Sequence, residues 1–194
     1  MSHPVTIMDG DSESGPRLGG RAPAGVRPSD AGLRYLLSLG FPWLPDHEVS
    51  VFVVADEGRL LHASGGLATK ELLEVVLHPV RRRSEAPTSW DSGLSEHPLS
   101  IAAACSDLRE IEGRWVPRSA DKMGGRPYFI QGEPEREEPV MELLQRGYVQ
   151  LLQVDVPAGG PASVLGSWPF GDALFHLFTR WENGAFEWEA FWEL

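Results

Sequence analysis

The sequence predicts an α+β fold, a single domain with a twisted, mostly antiparallel sheet and a few helices. Three observations lead to this prediction. Residues 49–55 and 148–156 are rich in β-branched and aromatic side chains, which is typical of buried strands. The apolar residues of 72–77 recur at helical spacing. Two apolar segments flank Asn183-Gly184, a pair that favours a tight hairpin turn.

The length of 194 residues suits one domain better than two. Residues 1–30 offer little apolar surface to bury, so we predict a flexible leader there and a single α+β domain over 31–194. Residues 119–194 are the most recognisable part of that domain. Neither a signal peptide nor an apolar run of about 18 residues is found, and we expect a cytoplasmic protein with no transmembrane helix.

The first half of the domain is predicted to hold two helices and a hairpin. The leucines of residues 33–39 predict a short helix. Residues 49–55 and 59–63 predict two strands, and the loop at 56–58 has the length of a hairpin connection. The helical spacing within 72–77 predicts a second helix that Pro79 ends or kinks.

The middle of the chain mixes loops with short elements. Residues 84–98 are polar and contain two prolines, which predicts a loop. Residues 99–112 show both alternation and helical spacing, and we favour a helix. Residues 128–131 predict a short strand, 140–144 one or two helical turns, and 148–156 a central strand that is apolar on both faces.

The C-terminal hairpin is the clearest predicted element. Its strands are 173–181 and 185–194. In the second strand Trp188 and Trp192 share one face and three glutamates share the other, with Phe191 as the exception. This pattern indicates a half-buried strand whose acidic outer face discourages pairing with other chains.

The chain is acidic, with 28 Asp and Glu against 17 Lys and Arg and a net charge of −11. Nucleic acids and anionic membranes attract a concentrated positive surface, so we expect neither as a partner. A basic protein is the partner that an acidic surface would suit. Cys105 is the single cysteine, so no disulfide can form within the chain.

Three motifs follow one another in the C-terminal half. They are the turn Gly124-Gly125-Arg126-Pro127, the strand end Gln153-Val154-Asp155, and the group Phe170-Gly171-Asp172 before an apolar strand. In order and spacing this half resembles the YwqG-like family, a bacterial family of largely uncharacterised proteins. The resemblance implies a shared fold over residues 119–194 and no particular activity, because the family itself has none assigned.

The six motif positions form our candidate cluster: Gly124, Gly125, Gln153, Asp155, Gly171 and Asp172. The glycines allow backbone angles that other residues avoid. Gln153 and Asp155 lie two apart and so point to one face of their strand, where they need hydrogen-bond donors such as the N–H groups of the glycine turns. The cluster therefore braces the sheet, or alternatively forms a ligand cleft.

No catalytic, cofactor-binding or metal-binding set is predicted. The six histidines show no His-Xaa-Xaa-Xaa-His spacing, no nucleophile elbow is present, and the Gly-Gly pairs lack the pattern of a phosphate loop. Cys105, His176 and Asp172 could make a Cys-His-Asp set if the fold brought them together, but a small buried cysteine is the simpler interpretation.

We therefore expect a non-enzymatic, cytoplasmic protein-binding protein, of which an immunity or antitoxin-like protein with a basic target is one version. A first alternative is a small-molecule or enzymatic site around Gly124, Gln153, Asp155 and Asp172. A second is an accessory subunit of a larger assembly, tethered by residues 1–30.

Overall fold

A computed structural model describes residues 1–10, 15–62, 67–112, 114–117, 121–129, 134–155, 168–170 and 173–193. The chain is mostly sheet, and only two short helices occur within these ranges. The strands are β1 His3–Ile7, β2 Arg17–Leu18, β3 Leu33–Phe41, β4 Leu44–Val54, β5 Leu73–Pro79, β6 His97–Ile101, β7 Leu108–Ile111, β8 Arg114–Pro117, β9 Lys122–Met123, β10 Val149–Val154, β11 Leu174–Glu182 and β12 Ala185–Glu193. The helices are α1 Glu57–His62 and α2 Pro134–Gln145.

Ten of these strands form one antiparallel, nearly closed, barrel-like sheet in the order β12-β11-β10-β9-β1-β6-β2-β3-β4-β5. The two ends of the sheet approach each other just before β5. There Leu67 pairs with Phe191 of β12, and the N–H of Ala68 donates to the carbonyl of Ala190 at 2.8 Å. Strands β7 and β8 make a separate hairpin.

The predicted α+β class is wrong, because the described residues form twelve strands, ten of them in one antiparallel sheet, and only two short helices. Three segments predicted as helices instead contain strands: residues 33–39 lie in β3, 73–77 of the segment 72–77 lie in β5, and the segment 99–112 contains the end of β6 and all of β7. Strands β3 and β4 are buried on both faces over most of their length. Consecutive apolar residues in such strands reproduce helical spacing by chance, and so the period does not distinguish the two structures.

The reverse error occurs at residues 59–63, predicted as a strand, because 57–62 form α1. The loop at 56–58 is not a hairpin turn. Instead Asp56 precedes the helix, and its Oδ1 accepts from the N–H of Gly58 at 3.0 Å. An aspartate in this position satisfies a backbone donor at the start of a helix, which a hairpin loop would not require.

The structure also differs from the predicted flexible leader over residues 1–30. Strand β1 lies in the middle of the sheet between β9 and β6, and β2 lies between β6 and β3. Val5 and Ile7 are buried in the main core, which explains why this short segment is held. Residues 11–14 of this stretch are not among those described.

Other predictions are confirmed. Residues 148–156 contain β10, and 140–144 lie in α2. Strands β11 and β12 pair through Asn183 and Gly184, whose φ angles are 53° and 78°. Within the described ranges no helix is long and apolar enough to cross a membrane.

The inner face of the sheet carries the main core. Two covers, which are helix α2 and the loop segments around residues 20–31 and 81–96, pack on its outer face. Helix α2 packs over β11 and β12 through Val140 and Leu143, which contact the cluster of Phe178 and Phe191. Backbone hydrogen bonds join the segments around residues 20–31 and 81–96. The N–H and the hydroxyl of Ser29 also donate to the Glu74 carboxylate of β5, at 2.7 and 2.8 Å. These covers create the buried polar surroundings described below.

Candidate functional site

Gln153 of the candidate cluster is fully buried in β10 and acts as a polar brace. Its Oε1 accepts from the backbone N–H of Tyr128 at 2.9 Å and from Nε2 of Gln150 at 2.9 Å. We expected donors from the glycine turns, whereas Tyr128 lies just beyond the Gly124-Gly125 turn. The carboxamide thus fastens the segment that follows this turn to the sheet.

The Gly124-Gly125 turn lies beside β10, as the candidate cluster requires. Both glycines have left-handed φ angles, 70° and 79°, and the N–H of Gly124 donates to the carbonyl of Leu151 at 3.1 Å. A Cβ on Gly125 would lie 2.1 Å from Oδ1 of Asp107, whereas a Cβ on Gly124 would meet nothing closer than 3.9 Å. The second glycine therefore has a steric requirement in addition to its backbone angle.

This difference predicts unequal costs for two matched variants. Gly124→Ala should lower the free energy of unfolding by about 1 kcal/mol, the cost of a left-handed alanine. Gly125→Ala should cost about 2–3 kcal/mol, because it also displaces Asp107 from its ion pair with the N-terminal ammonium at 3.2 Å. Urea unfolding of the two purified variants measures both values, and equal losses would refute the steric explanation.

Asp155 follows β10 and lies against a second carboxylate. Its backbone N–H donates to Oδ1 of Asp121 at 2.6 Å. Burial, together with the charge of Asp155, raises the pKa of Asp121 to about 7. The two acidic groups thus form a pair in which Asp121 is the buried member, and Asp121 stays protonated at pH values where an exposed aspartate is ionised.

Two cluster members, Gly171 and Asp172, lie outside the described residues, so the complete cluster is not assembled on the described part of the chain. Cys105 and His176 are not neighbours. Cys105 bridges to Ser2 on the β6 side of β1, while His176 lies in β11, with β10, β9 and β1 between them. At about 4.8 Å per strand the separation is about 15–20 Å, too far for a shared reaction.

His176 is fully buried opposite Gln153 and packs among aromatic rings. Its ring centroid lies 5.6 Å from that of Phe129, 6.1 Å from Phe178 and 5.8 Å from Phe191. Cys105, in contrast, is half-buried rather than buried as expected. These surroundings give His176 a packing role in the outer core.

A buried hydrogen-bond chain that the sequence did not predict crosses the outer face of β3, β4 and β5. The Tyr35 hydroxyl donates to Ser38 Oγ at 2.9 Å, Ser38 and Ser50 lie 2.9 Å apart, and Ser50 Oγ lies 2.8 Å from Nε2 of His78. Nδ1 of His78 lies 2.8 Å from the carbonyl of Pro79, which can only accept. The proton is therefore on Nδ1, and Nε2 accepts from Ser50.

Glu48 extends this chain into the order Ser50–His78–Glu48, which is the order of a hydrolytic triad. Oε1 of Glu48 lies 3.7 Å from Nδ1 of His78, too long for a hydrogen bond, and accepts from the N–H of Arg81 at 3.2 Å. Ser50 has no exposed surface, so a substrate carbonyl cannot reach its Oγ. Burial lowers the pKa of His78 and raises that of Glu48, which favours neutral forms of both.

Arg17 supplies a positive charge beside this chain. Its side chain has no exposed surface, and its Cζ lies 5.9 Å from the centroid of the Tyr35 ring. Nη1 donates to the carbonyl of Gly15 at 2.9 Å, while Nε and Nη2 have no hydrogen-bond partner within the described residues. The interruption of the apolar runs by Ser38 and Ser50 was the one sequence feature that could have indicated this polar core.

A second unpredicted feature is an exposed aromatic groove of about 230 Å³ between two hairpin ends. We define it by Trp43, Leu44, Val149, Trp181 and Phe186. Trp43 and Trp181 are each 58% exposed and Val149 is 57% exposed. The groove thus exposes large apolar side chains of a kind that is more than half buried in most folded proteins.

The aromatic rings of the groove form a continuous row. The ring centroids of Trp43 and Phe41 lie 5.7 Å apart, those of Phe41 and Phe186 6.4 Å, and those of Phe186 and Trp181 5.9 Å. Phe41 is buried and connects the β3–β4 hairpin to the β11–β12 hairpin. These contacts hold the two exposed tryptophans at fixed positions at opposite ends of the row.

Arg180, at the side of the groove, is held by acidic neighbours. Its Nη2 lies 2.6 Å from Glu187 and 2.7 Å from Glu182, and its Cζ lies 4.8 Å above the Tyr148 ring. The Arg180 guanidinium lowers the pKa of Glu187, which is therefore charged at neutral pH. Arg146, whose Cζ lies 5.3 Å from the centroid of the Tyr148 ring, adds a second cation, so charges of both signs lie at this edge of the groove.

Comparisons of the chain with protein-family models, with curated proteins and with solved structures found no match. The site is therefore interpreted from its own geometry.

Proposed function

We propose that this chain is a non-enzymatic, cytoplasmic protein-binding protein whose partner inserts an apolar, positively charged segment into the aromatic groove. The observation that carries the proposal is the pair of tryptophans, each 58% exposed, held at opposite ends of one row of rings. Clustered exposed apolar side chains mark interaction surfaces, and tryptophan is the residue most enriched among those that dominate binding energy.

The shape of the groove favours a partner side chain over a flat contact. Val149 lies between the tips that carry Trp43 and Trp181, and the groove volume of about 230 Å³ suits one or two inserted side chains. Phe41 and Phe186 fix the rings before binding, so little side-chain entropy is lost when the partner docks. A preformed apolar groove of this kind suits the binding of a protein segment and needs no catalytic residue.

Charge indicates which segment fits. Glu182 and Glu187 lie beside Arg180 at the groove edge, with Arg146 nearby, and the whole chain has a net charge of −11. A lysine or arginine next to the inserted apolar side chain would meet carboxylates at the edge and a tryptophan ring face in the groove. An immunity or antitoxin-like protein with a basic target is a biological version of this proposal, and membership of the YwqG-like family remains a proposal beside it.

The alternatives receive less support. The tether hypothesis requires residues 1–30 to be separate from the fold, whereas β1 and β2 are strands of the main sheet. The small-molecule hypothesis requires Gly124, Gln153, Asp155 and Asp172 to converge on an open pocket, and Asp172 lies outside the described residues. Gln153 is fully buried and bonded to Tyr128 and Gln150, and the groove is lined by other residues.

Site-specific photo-crosslinking tests the proposal. A photoreactive amino acid at Val149 should capture a partner in the native host, while the same group at Met141, which is 47% exposed on α2, serves as the matched control. The captured protein is then purified and titrated with the unmodified chain. Trp43→Ala and Trp181→Ala should each weaken this binding by about tenfold or more, whereas Met141→Ala should leave it unchanged.

Two results would contradict this function. One is crosslinking that is no greater at position 149 than at position 141. The other is a purified partner whose affinity is the same for the wild type and for both tryptophan variants. A partner segment without Lys or Arg would refute the basic-partner component alone.

A further inference from the structure

A second concave region, separate from the aromatic groove, lies where the ends of β3 and β4 meet residues 91–94. It is a cavity of about 470 Å³, within the size range of small-molecule sites. Pro169 forms part of its rim. None of the residues that define the groove lines this cavity, so the two can be tested independently.

The cavity has a mixed lining of polar and apolar residues. The apolar ones include Val53, Val54, Ala55 and Leu94. A β-bulge between Tyr35 and Leu37 interrupts β3 at this wall. Bulges of this kind are common next to binding sites, because they redirect side chains and bend the strand away from its neighbour.

Arg34 supplies a positive charge on the same wall. Its Nη1 donates to the carbonyls of Ala31 at 2.8 Å and Leu33 at 3.0 Å, and these bonds fix the guanidinium. In the described part of the chain Nε and Nη2 make no hydrogen bond, and no carboxylate lies within 4 Å of Arg34. The Nε–Nη2 edge of a fixed guanidinium matches the two oxygens of a carboxylate.

The other polar groups of the cavity do not neutralise Arg34. The carboxylate of Asp91 is already bonded: it accepts from the N–H and Oγ1 of Thr88 in its own loop at 2.7 and 2.6 Å, and from the N–H of Ala22 in a neighbouring segment at 3.2 Å. Oγ of Ser92 accepts from the N–H of Leu94 at 2.9 Å, so its own proton can be donated to a ligand. Arg34 and Ser92 thus each keep a donor that makes no hydrogen bond within the described residues, whereas the oxygens of Asp91 are already bonded.

We propose that this cavity binds a small organic carboxylate with an apolar body. The carboxylate lies on the Nε–Nη2 edge of Arg34 with Ser92 as a further donor, and the apolar body lies against Leu94 and Val53, the residue paired with Arg34. The cavity volume limits the ligand to a small molecule rather than a peptide or a lipid chain of full length.

A matched pair of probes tests the proposal on the full chain. 1-Naphthaleneacetate carries a carboxylate on an apolar body, and 1-naphthaleneacetamide is its neutral equivalent. Titration followed by ¹H–¹⁵N correlation spectra should show the acid binding at least about tenfold more tightly than the amide, with shifts at Ser92, Gly93 and Leu94.

Variants separate this site from the groove. Arg34→Gln should weaken binding of the acid by about tenfold and leave the weaker binding of the amide unchanged. Trp181→Ala should alter neither. Equal binding of acid and amide, an unchanged affinity in Arg34→Gln, or no binding of the acid at millimolar concentration would each overturn the proposal without touching the proposed protein-binding function.

Discussion

Replacing Trp192 by alanine is expected to lower the free energy of unfolding by about 4 kcal/mol, the largest single effect we predict. Trp192 has no exposed surface and packs against Phe170, with ring centroids 5.1 Å apart. Its Nε1 donates to the carbonyl of Leu60 at 2.9 Å. The substitution removes both the largest buried side chain of β12 and the hydrogen bond that joins β12 to α1.

Trp192→Phe separates these two contributions. Phenylalanine keeps most of the apolar volume but leaves the buried carbonyl of Leu60 without this donor, so we expect a loss of about 1–3 kcal/mol. Trp181→Ala is the matched control, because this tryptophan lies on the same face of the same hairpin but is 58% exposed, and its cost should stay below about 1 kcal/mol. Urea unfolding gives all three values, and a Trp192→Ala loss no larger than that of Trp181→Ala would be inconsistent with Trp192 as the central residue of the core.

The contrast between these tryptophans also shows how far the sequence could predict the structure. The alternation of Phe186, Trp188 and Trp192 predicted one face of β12 correctly, because a strand places every second side chain on the same side. The alternation could not predict that the hairpin end carrying Trp181 and Phe186 lies beside Trp43. That proximity depends on two hairpins distant in sequence, and no local pattern encodes it.

The failure at β3 has a specific physical cause. A bulge separates Tyr35 from Leu37, so the alternation of the strand shifts by one residue at Leu36. The resulting spacing of Leu33, Leu36 and Leu37 is the i, i+3, i+4 spacing of a helix. Because the covers around residues 20–31 and 81–96 also bury the outer face of this strand, neither polarity nor period distinguished it from a helix.

The candidate cluster was predicted only in part. A carboxamide inside an apolar strand needs a partner, which made Gln153 a credible polar brace from the sequence alone. Its donor, the N–H of Tyr128, lies in an irregular segment whose position depends on tertiary packing. The partner of Asp155, Asp121, was likewise not predicted, although burial raises the pKa of its carboxyl group.

Between pH 4.5 and pH 8, Asp121→Asn is expected to gain about 3 kcal/mol of stability relative to the wild type. Burial and the charge of Asp155 raise the pKa of Asp121 from 3.8 to about 7, so between these values the folded state keeps a proton that the unfolded state has lost. The free energy of unfolding of the wild type therefore falls as pH rises from about 4 to about 7. Asparagine does not titrate and its Oδ1 can still accept from the N–H of Asp155, so the variant should lack this decline.

Urea unfolding of both proteins at pH 4.5, 6 and 8 measures the effect as a difference, which cancels groups that titrate in both, including Glu48 and His78. The difference should be smallest, about 1 kcal/mol, at pH 4.5, which is just above the unfolded pKa, and largest at pH 8, above the folded pKa. Asp155→Asn should reproduce only part of it, because that variant removes the neighbouring charge while burial of Asp121 remains. A difference that does not change with pH would show that Asp121 carries no raised pKa, and the polar pair at the end of β10 would then be a hydrogen-bonded brace alone.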